Sequence, residues 1–215
     1  SGALLGGLNG MLSANLRLPS FIVTVATMGI YRGAVSLPTG GAPASIDNDA
    51  WLAIGAESWL GLPIIICIVL VLFAINHFVL AKTVFGRRAY LVGGNREAAL
   101  YSGIRVNRLK VAIFTLSGVM AAISGILLSS RLSSAQTNAG MGYELDAIAA
   151  VVLGGTSLAG GVGTMLGTLL GALLIGVINN GMNMLSVPYF YQLIVKGAVI
   201  IIAVWLDVRS KSSQH

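Results

Sequence analysis

The chain has 215 residues, of which 56% are hydrophobic and only 9% charged, against roughly one-quarter charged in a soluble globular domain. Apolar runs approaching the ~20 residues that cross a bilayer as helix occur repeatedly, which excludes a water-soluble domain and indicates an integral membrane protein. The formal charge of +6 sits around one loop rather than among aromatics, which argues against nucleic acid as a partner, and the lone Cys67 excludes an internal disulfide or a cysteine-rich metal site.

The predicted elements follow from where apolar runs stop at glycine, proline or charge. Residues 2–16 form a first segment, with Gly2, Gly6 and Gly10 at four-residue spacing. It reads as a helix already under way, with no charged leader before it, so the chain is expected to be an N-terminally truncated piece. Residues 20–37 follow, entered through Pro19. A polar stretch at 38–61 carries Asp47, Asp49 and Glu57 but no Lys or Arg, with Trp51 and Trp59 as expected interface anchors. The third run is 62–80. The loop at 81–110 then holds Lys82, Arg87, Arg88, Arg96, Arg105, Arg108 and Lys110. Further runs at 111–130, 143–158, 164–182 and 188–206 give about seven membrane segments, ending in a tail with Arg209 and Lys211. Cytoplasmic loops hold the excess of Lys and Arg, so loop 81–110, the tail and Arg17 are expected inside and loop 38–61 outside. The expected fold is an all-α polytopic transmembrane helical bundle, and residues 1–215 read as a single membrane domain.

Gly163, Gly167 and Gly171 repeat every four residues, lining one helical face with bare backbone so that a neighbouring helix can approach closely. The stretch "GGTSLAGGVGT", residues 154–164, holds five glycines between two helices. Neither a P-loop lysine nor a preceding soluble strand accompanies it, so it is read as a tight inner turn and not as a nucleotide site.

The stretch "LVGGNREAALYSGI", residues 91–104, stands out between two greasy runs. Gly93 and Gly94 would permit a sharp turn, Asn95 suits a helix N-cap, and Glu97 falls in the first turn, where the helix dipole favours negative charge. Ala98, Ala99 and Leu100 are strong helix formers, and Gly103 is placed as a C-terminal stop. These residues predict a helix of about two turns over 96–102 in a cytoplasmic loop, too short to stand alone in water. It packs either on the protein's own membrane face or in a groove of a soluble partner.

"GGNREAALYSGI", together with "RLSSAQTNAGMGYELDAIAAVVLGGTSLAGGVGTMLGTLLGALLIGVINNGMNML", resembles the permease subunits of bacterial ATP-binding-cassette importers for monosaccharides, the group that includes the ribose permease. The likeness covers nearly the whole chain and is most specific between residues 86 and 185. The resemblance implies a bundle of about ten helices similar to the vitamin B12 importer type, about three of which would lie before Ser1. It further implies two permeases, identical or closely related, working with two nucleotide-binding ATPase subunits and a periplasmic sugar-binding protein in the bacterial inner membrane. On that likeness the loop at 82–110 is a coupling loop. Its segment from Gly93 to Gly103 resembles the coupling helix that enters the ATPase, with Asn95, Glu97, Ala98 and Ala99 as the contacts. ATP and magnesium would belong to the ATPase, leaving this chain without a cofactor or catalytic site of its own.

Polar groups at membrane depth are costly and usually functional. Glu144 and Asp146 fall at the outer start of the fifth run, near Arg131 in sequence, where they either favour the helix N-terminus or line an outer mouth toward sugar or binding protein. Asn179 and Asn180, late in the sixth run, suit either bridging between helices or contact with sugar hydroxyls. Lys196 lies about mid-span in the seventh run and requires the bundle, a cavity or a counter-charge, for which Asp146 or Glu144 are candidates. Other readings are a proton-coupled secondary transporter using Lys196 and the acidic pair as a relay, a branched-chain amino acid permease, and a scaffold without transport.

Overall fold

The computed structural model describes residues 1–16, 18–59 and 61–212. Arg17, expected on the cytoplasmic side, lies outside the described residues, as do the side chains of Trp59 and Lys211. The described residues are mainly helical, with four two-residue strands and connecting loops. In order it runs α1 (Gly2–Asn15), α2 (Ser20–Thr39), β1 (Ala44–Ser45), α3 (Asp49–Ala56), β2 (Ser58–Trp59), β3 (Leu62–Pro63) and α4 (Ile64–Lys82). It continues through α5 (Val84–Gly94), α6 (Arg96–Tyr101), α7 (Val106–Leu132), β4 (Ser134–Ala135), α8 (Tyr143–Leu153), α9 (Met165–Met184) and α10 (Tyr189–Ser212).

Each of the seven expected runs holds a helix, but they are not equivalent. Among the described residues, four helices, α2, α4, α7 and α9, are long and apolar enough to cross a membrane, and Tyr189–Trp205 of α10 is a shorter apolar stretch. The fifth run does not continue to residue 158 as its hydropathy suggests. Its helix α8 stops after 11 residues, about 16 Å of rise against a hydrocarbon core of about 30 Å. The physical reason is Gly155, whose φ of +79° takes the chain into left-handed backbone that an α-helix cannot include.

The chain divides into two compact units, Ser1–Ala74 with Gly103–Ala139, and Ile75–Ser102 with Gly140 onward. In the first unit, α1 lies against α7 through its glycine face. A side chain at Gly10 would come within 2.8 Å of Val111 Cα, and Gly2 and Gly6 meet the backbone of Gly118. Lys110 Nζ donates to the Ser13 carbonyl across the same helix pair at 3.2 Å. The polar loop 38–61 is better ordered than its composition suggests. Asn48 caps α3 by accepting from Trp51 N–H at 3.2 Å. Trp51 Nε1 donates to Ser129 Oγ at 3.2 Å, and Ser130 Oγ to the Trp51 carbonyl at 2.6 Å, so this tryptophan docks on α7. Strands β1 and β4 tie the same loop to the segment after α7, with Ala44 opposite Ala135 and Ser45 opposite Ser134.

In the second unit α8 and α9 pack along two small-residue faces with four-residue spacing, the period that keeps residues on one side of a helix. Asp146, Ala150 and Gly154 line α8; Gly167, Gly171, Ile175 and Asn179 line α9. Gly154 sits on the backbone of Gly167, and Gly171 on the carbonyl of Ala150, so the two helices meet backbone to backbone. Ala149, Ala150 and Ile175 form the buried core of this unit, with Val199 and Ile200 of α10 packed against it. Large apolar side chains such as Leu170, Val177 and Ile201 are turned outward, an arrangement suited to lipid and unsuited to water.

Candidate functional site

The short loop helix exists as expected. α6 spans Arg96–Tyr101, capped by Asn95, whose Oδ1 accepts from Ala98 N–H at 3.0 Å while Glu97 occupies the first turn. Ser102 Oγ donates back to the Ala98 carbonyl at 2.9 Å, and Gly103 follows at φ +77°, left-handed backbone that ends the helix without a Cβ clash. Removing the cap tests this directly. Asn95→Ala is expected to cost about 1 kcal/mol of local stability, read as faster amide hydrogen exchange across residues 96–101; unchanged exchange would mean that the cap contributes nothing.

Two details differ from the sequence reading. Gly93 and Gly94 do not make a turn. They are the last two residues of a separate helix, α5, and the direction changes at Asn95, whose backbone is extended (φ −151°, ψ 104°). The glycines instead permit contact: a Cβ on Gly93 would lie 2.7 Å from the Gly161 nitrogen, while Gly94 would meet Gly161 Cα at an ordinary 3.8 Å. Tyr90 of the same helix donates its hydroxyl to the Gly163 carbonyl at 2.6 Å. The glycine-rich loop 154–164 is therefore packed on the end of α5.

The second difference concerns which face of α6 is available. Ala99 is only 3% exposed, so its methyl turns into the protein, while Asn95, Glu97 and Ala98 are exposed. Leu100 and Tyr101, the latter 92% exposed, complete the outward surface. Sequence reasoning placed Leu100 in the helix but counted neither residue among the contacts. The available signal was an apolar pair inside an otherwise polar, basic loop.

Three of the polar residues singled out in the sequence, Asp146, Asn179 and Lys196, come together in one cluster. Lys196 Nζ lies 2.8 Å from Asp146 Oδ1 and 2.9 Å from Oδ2, with side-chain exposures of 10% and 18%. Asn179 Nδ2 donates to the same Oδ2 at 3.2 Å, so one carboxylate joins α8, α9 and α10. Of the two counter-charges considered for Lys196, Asp146 is the partner and Glu144 is exposed. Asn179 Oδ1 is enclosed and has no hydrogen-bond partner among the described residues. Asn180 is exposed and turns to Met184 of its own helix, with Nδ2 4.0 Å from Sδ. Arg131 stands in the last turn of α7, where a cation suits the helix dipole. A largely enclosed carboxylate held by one lysine and one amide is a joint between three helices rather than a set of free ligands.

The model of the branched-chain amino acid transport system permease component matches residues 1–204. The ribose import permease of Bacillus subtilis (strain 168) is 51% identical over 207 residues, 95% of this chain and 64% of its own. That of Haemophilus influenzae is 47% identical over 210 residues, 96% of this chain and 65% of its own. The xylose transport system permease protein of Escherichia coli (strain K12) is 38% identical, covering 98% of this chain and 69% of its own. The chain spans just under two-thirds of the length of the two ribose permeases. No solved structure matches. With the family match running through nearly every helix described above, the chain belongs to the branched-chain amino acid transport system permease component family and is a multi-pass membrane protein.

Proposed function

We propose that this chain is the membrane-spanning permease subunit of an ATP-binding-cassette importer that carries a monosaccharide, ribose or a related pentose or hexose, into the cell. The observation that carries this reading is the 51% identity with a ribose import permease across 95% of the chain. Sugar permeases for ribose and xylose stand among the relatives, which favours a sugar over a branched-chain amino acid despite the family's name. The proposed setting is the bacterial inner membrane, with loop 82–110 cytoplasmic by its basic residues and loop 38–61 outside. The full permease domain would be of the vitamin B12 importer type, in which the seven helices of the expected runs are membrane segments and α8 enters only part way.

The chain would work with a second permease copy, a nucleotide-binding ATPase and a periplasmic sugar-binding protein. ATP hydrolysis and its magnesium belong to the ATPase, so the permease contributes no catalytic group. α6 is the proposed contact with that ATPase, through Asn95, Glu97, Ala98, Leu100 and Tyr101, with Ala99 anchoring the helix to the permease. An exposed apolar pair beside a capped, acidic first turn suits a groove on a soluble partner. Affinity for the sugar would reside in the binding protein, and a pathway of small and weakly polar side chains would let a neutral sugar pass.

The test uses the full-length permease assembled with its ATPase and binding protein in proteoliposomes. Glu97→Lys reverses a charge inside the proposed contact and is expected to lower both sugar uptake and sugar-stimulated ATP hydrolysis about tenfold or more. Wild-type values for both would remove the coupling role. A thermal-shift screen of the co-purified binding protein against sugars and branched-chain amino acids would decide the substrate class.

A further inference from the structure

We infer that the α8–α9 hairpin is the lever through which the loop helix moves Lys196 of α10, and that Tyr90 is the positioning residue that fastens the lever to the loop. The inference rests on the proposed coupling role of α6 and specifies where its motion goes. α6 follows α5 with only Asn95 between them, and Asn95 is held by both helices. Its N–H bonds the Leu91 carbonyl at 3.0 Å, while its side chain caps α6. Displacement of α6 therefore reaches the end of α5 within one residue.

At that end the contact is backbone on backbone, Gly93 against Gly161, with no side chain between them to change rotamer and absorb the movement. Such a contact resists compression but transmits no pull. The 2.6 Å bond from the Tyr90 hydroxyl to the Gly163 carbonyl supplies the missing direction, so the loop 154–164 must follow α5 both ways. Beyond the loop, α8 and α9 are again joined without intervening side chains, at Gly154 on Gly167 and Gly171 on Ala150. From Gly167 to Asn179 the lever extends about 18 Å at the rise of an α-helix. Its far end is the Asp146 carboxylate, bonded to Asn179 and paired with Lys196 at 2.8 Å. All of these residues belong to one compact unit. Among the described residues, the line runs through backbone contacts at Gly93, Gly154 and Gly171, and passes to side chains only at its far end, at Ile175, Asn179 and Asp146.

The experiment is Tyr90→Phe in the assembled importer in proteoliposomes, beside Glu97→Lys, with uptake, ATP hydrolysis and the unfolding midpoint measured on the same preparations. The ring that packs is kept and only the bond is lost. Sugar uptake per ATP hydrolysed is expected to fall about three- to tenfold, the scale of one lost hydrogen bond, with hydrolysis and midpoint close to wild type. A general loss of stability would lower uptake and hydrolysis together and leave their ratio unchanged, and that result overturns the lever. A wild-type ratio with Glu97→Lys inactive also overturns it while leaving the coupling role of α6 standing. If Glu97→Lys is itself without effect, the coupling reading fails and the lever fails with it.

Discussion

Replacing Lys196 by methionine is expected to destabilise the protein by roughly 3–5 kcal/mol, because it leaves a buried carboxylate without its counter-charge. The geometry sets this expectation. Both Asp146 oxygens lie within 2.9 Å of Lys196 Nζ, and neither side chain is more than one-fifth exposed. Methionine is close to lysine in length and keeps the packing of the stem, so the change isolates the charge. The double variant Asp146→Asn with Lys196→Met removes both charges and retains an oxygen for Asn179 Nδ2; it is expected to recover most of the loss. Unfolding midpoints of the four proteins in one detergent give the coupling energy. A Lys196→Met protein within about 0.5 kcal/mol of the starting chain would mean that the pair carries no structural load.

The second large effect is expected at Gly171. Leucine is a better helix former than glycine by up to about 1 kcal/mol, so propensity alone predicts stabilisation. Packing decides otherwise. A Cβ at Gly171 would fall on the Ala150 carbonyl and within 2.9 Å of the Gly154 nitrogen, both of them backbone atoms that cannot step aside without separating α8 from α9. Gly171→Leu is expected to cost at least 1–3 kcal/mol net and to lower the yield of monodisperse protein in detergent. Gly176→Leu on the same helix meets nothing within 4 Å and is expected to remain within about 0.5 kcal/mol of the starting chain, or to gain. Equal behaviour of the two variants would remove the close α8–α9 contact.

Much of this arrangement is legible in the residues themselves, and what is not has identifiable causes. The apolar runs show themselves because hydropathy over twenty residues is a strong signal, and the Asn95 cap and Gly103 stop because each rests on local backbone chemistry. The pairing of Lys196 follows from the cost of a bare ammonium at depth, with only two acids close enough in topology to answer it. Hydropathy cannot see where α8 ends, since Val151, Val152, Leu153 and Leu158 are apolar on both sides of the glycines that stop it. Helices α3 and α5 escape a reading tuned to long apolar runs because they are short and mixed in character. The Gly93–Gly94 pair illustrates a deeper ambiguity. Glycine serves a turn and a close contact equally well, and only the position of residues 160 and 161, far away in the chain, decides between them. Tyr90 has no marker at all in one dimension, because its partner is a backbone carbonyl.

The capping of α6 by the residue that also terminates α5 has a consequence for how this loop can vary. Surface connections ordinarily gain and lose residues with little penalty. Here one position serves both helices, so the connection has no slack. An insertion beside Asn95 would turn the short helix by about 100°, carrying Glu97 and Tyr101 off the positions they now present and Ala99 out of its buried one. Change in this segment is thus confined to side-chain identity at fixed length, and selection can tune the strength of the contact without altering its register.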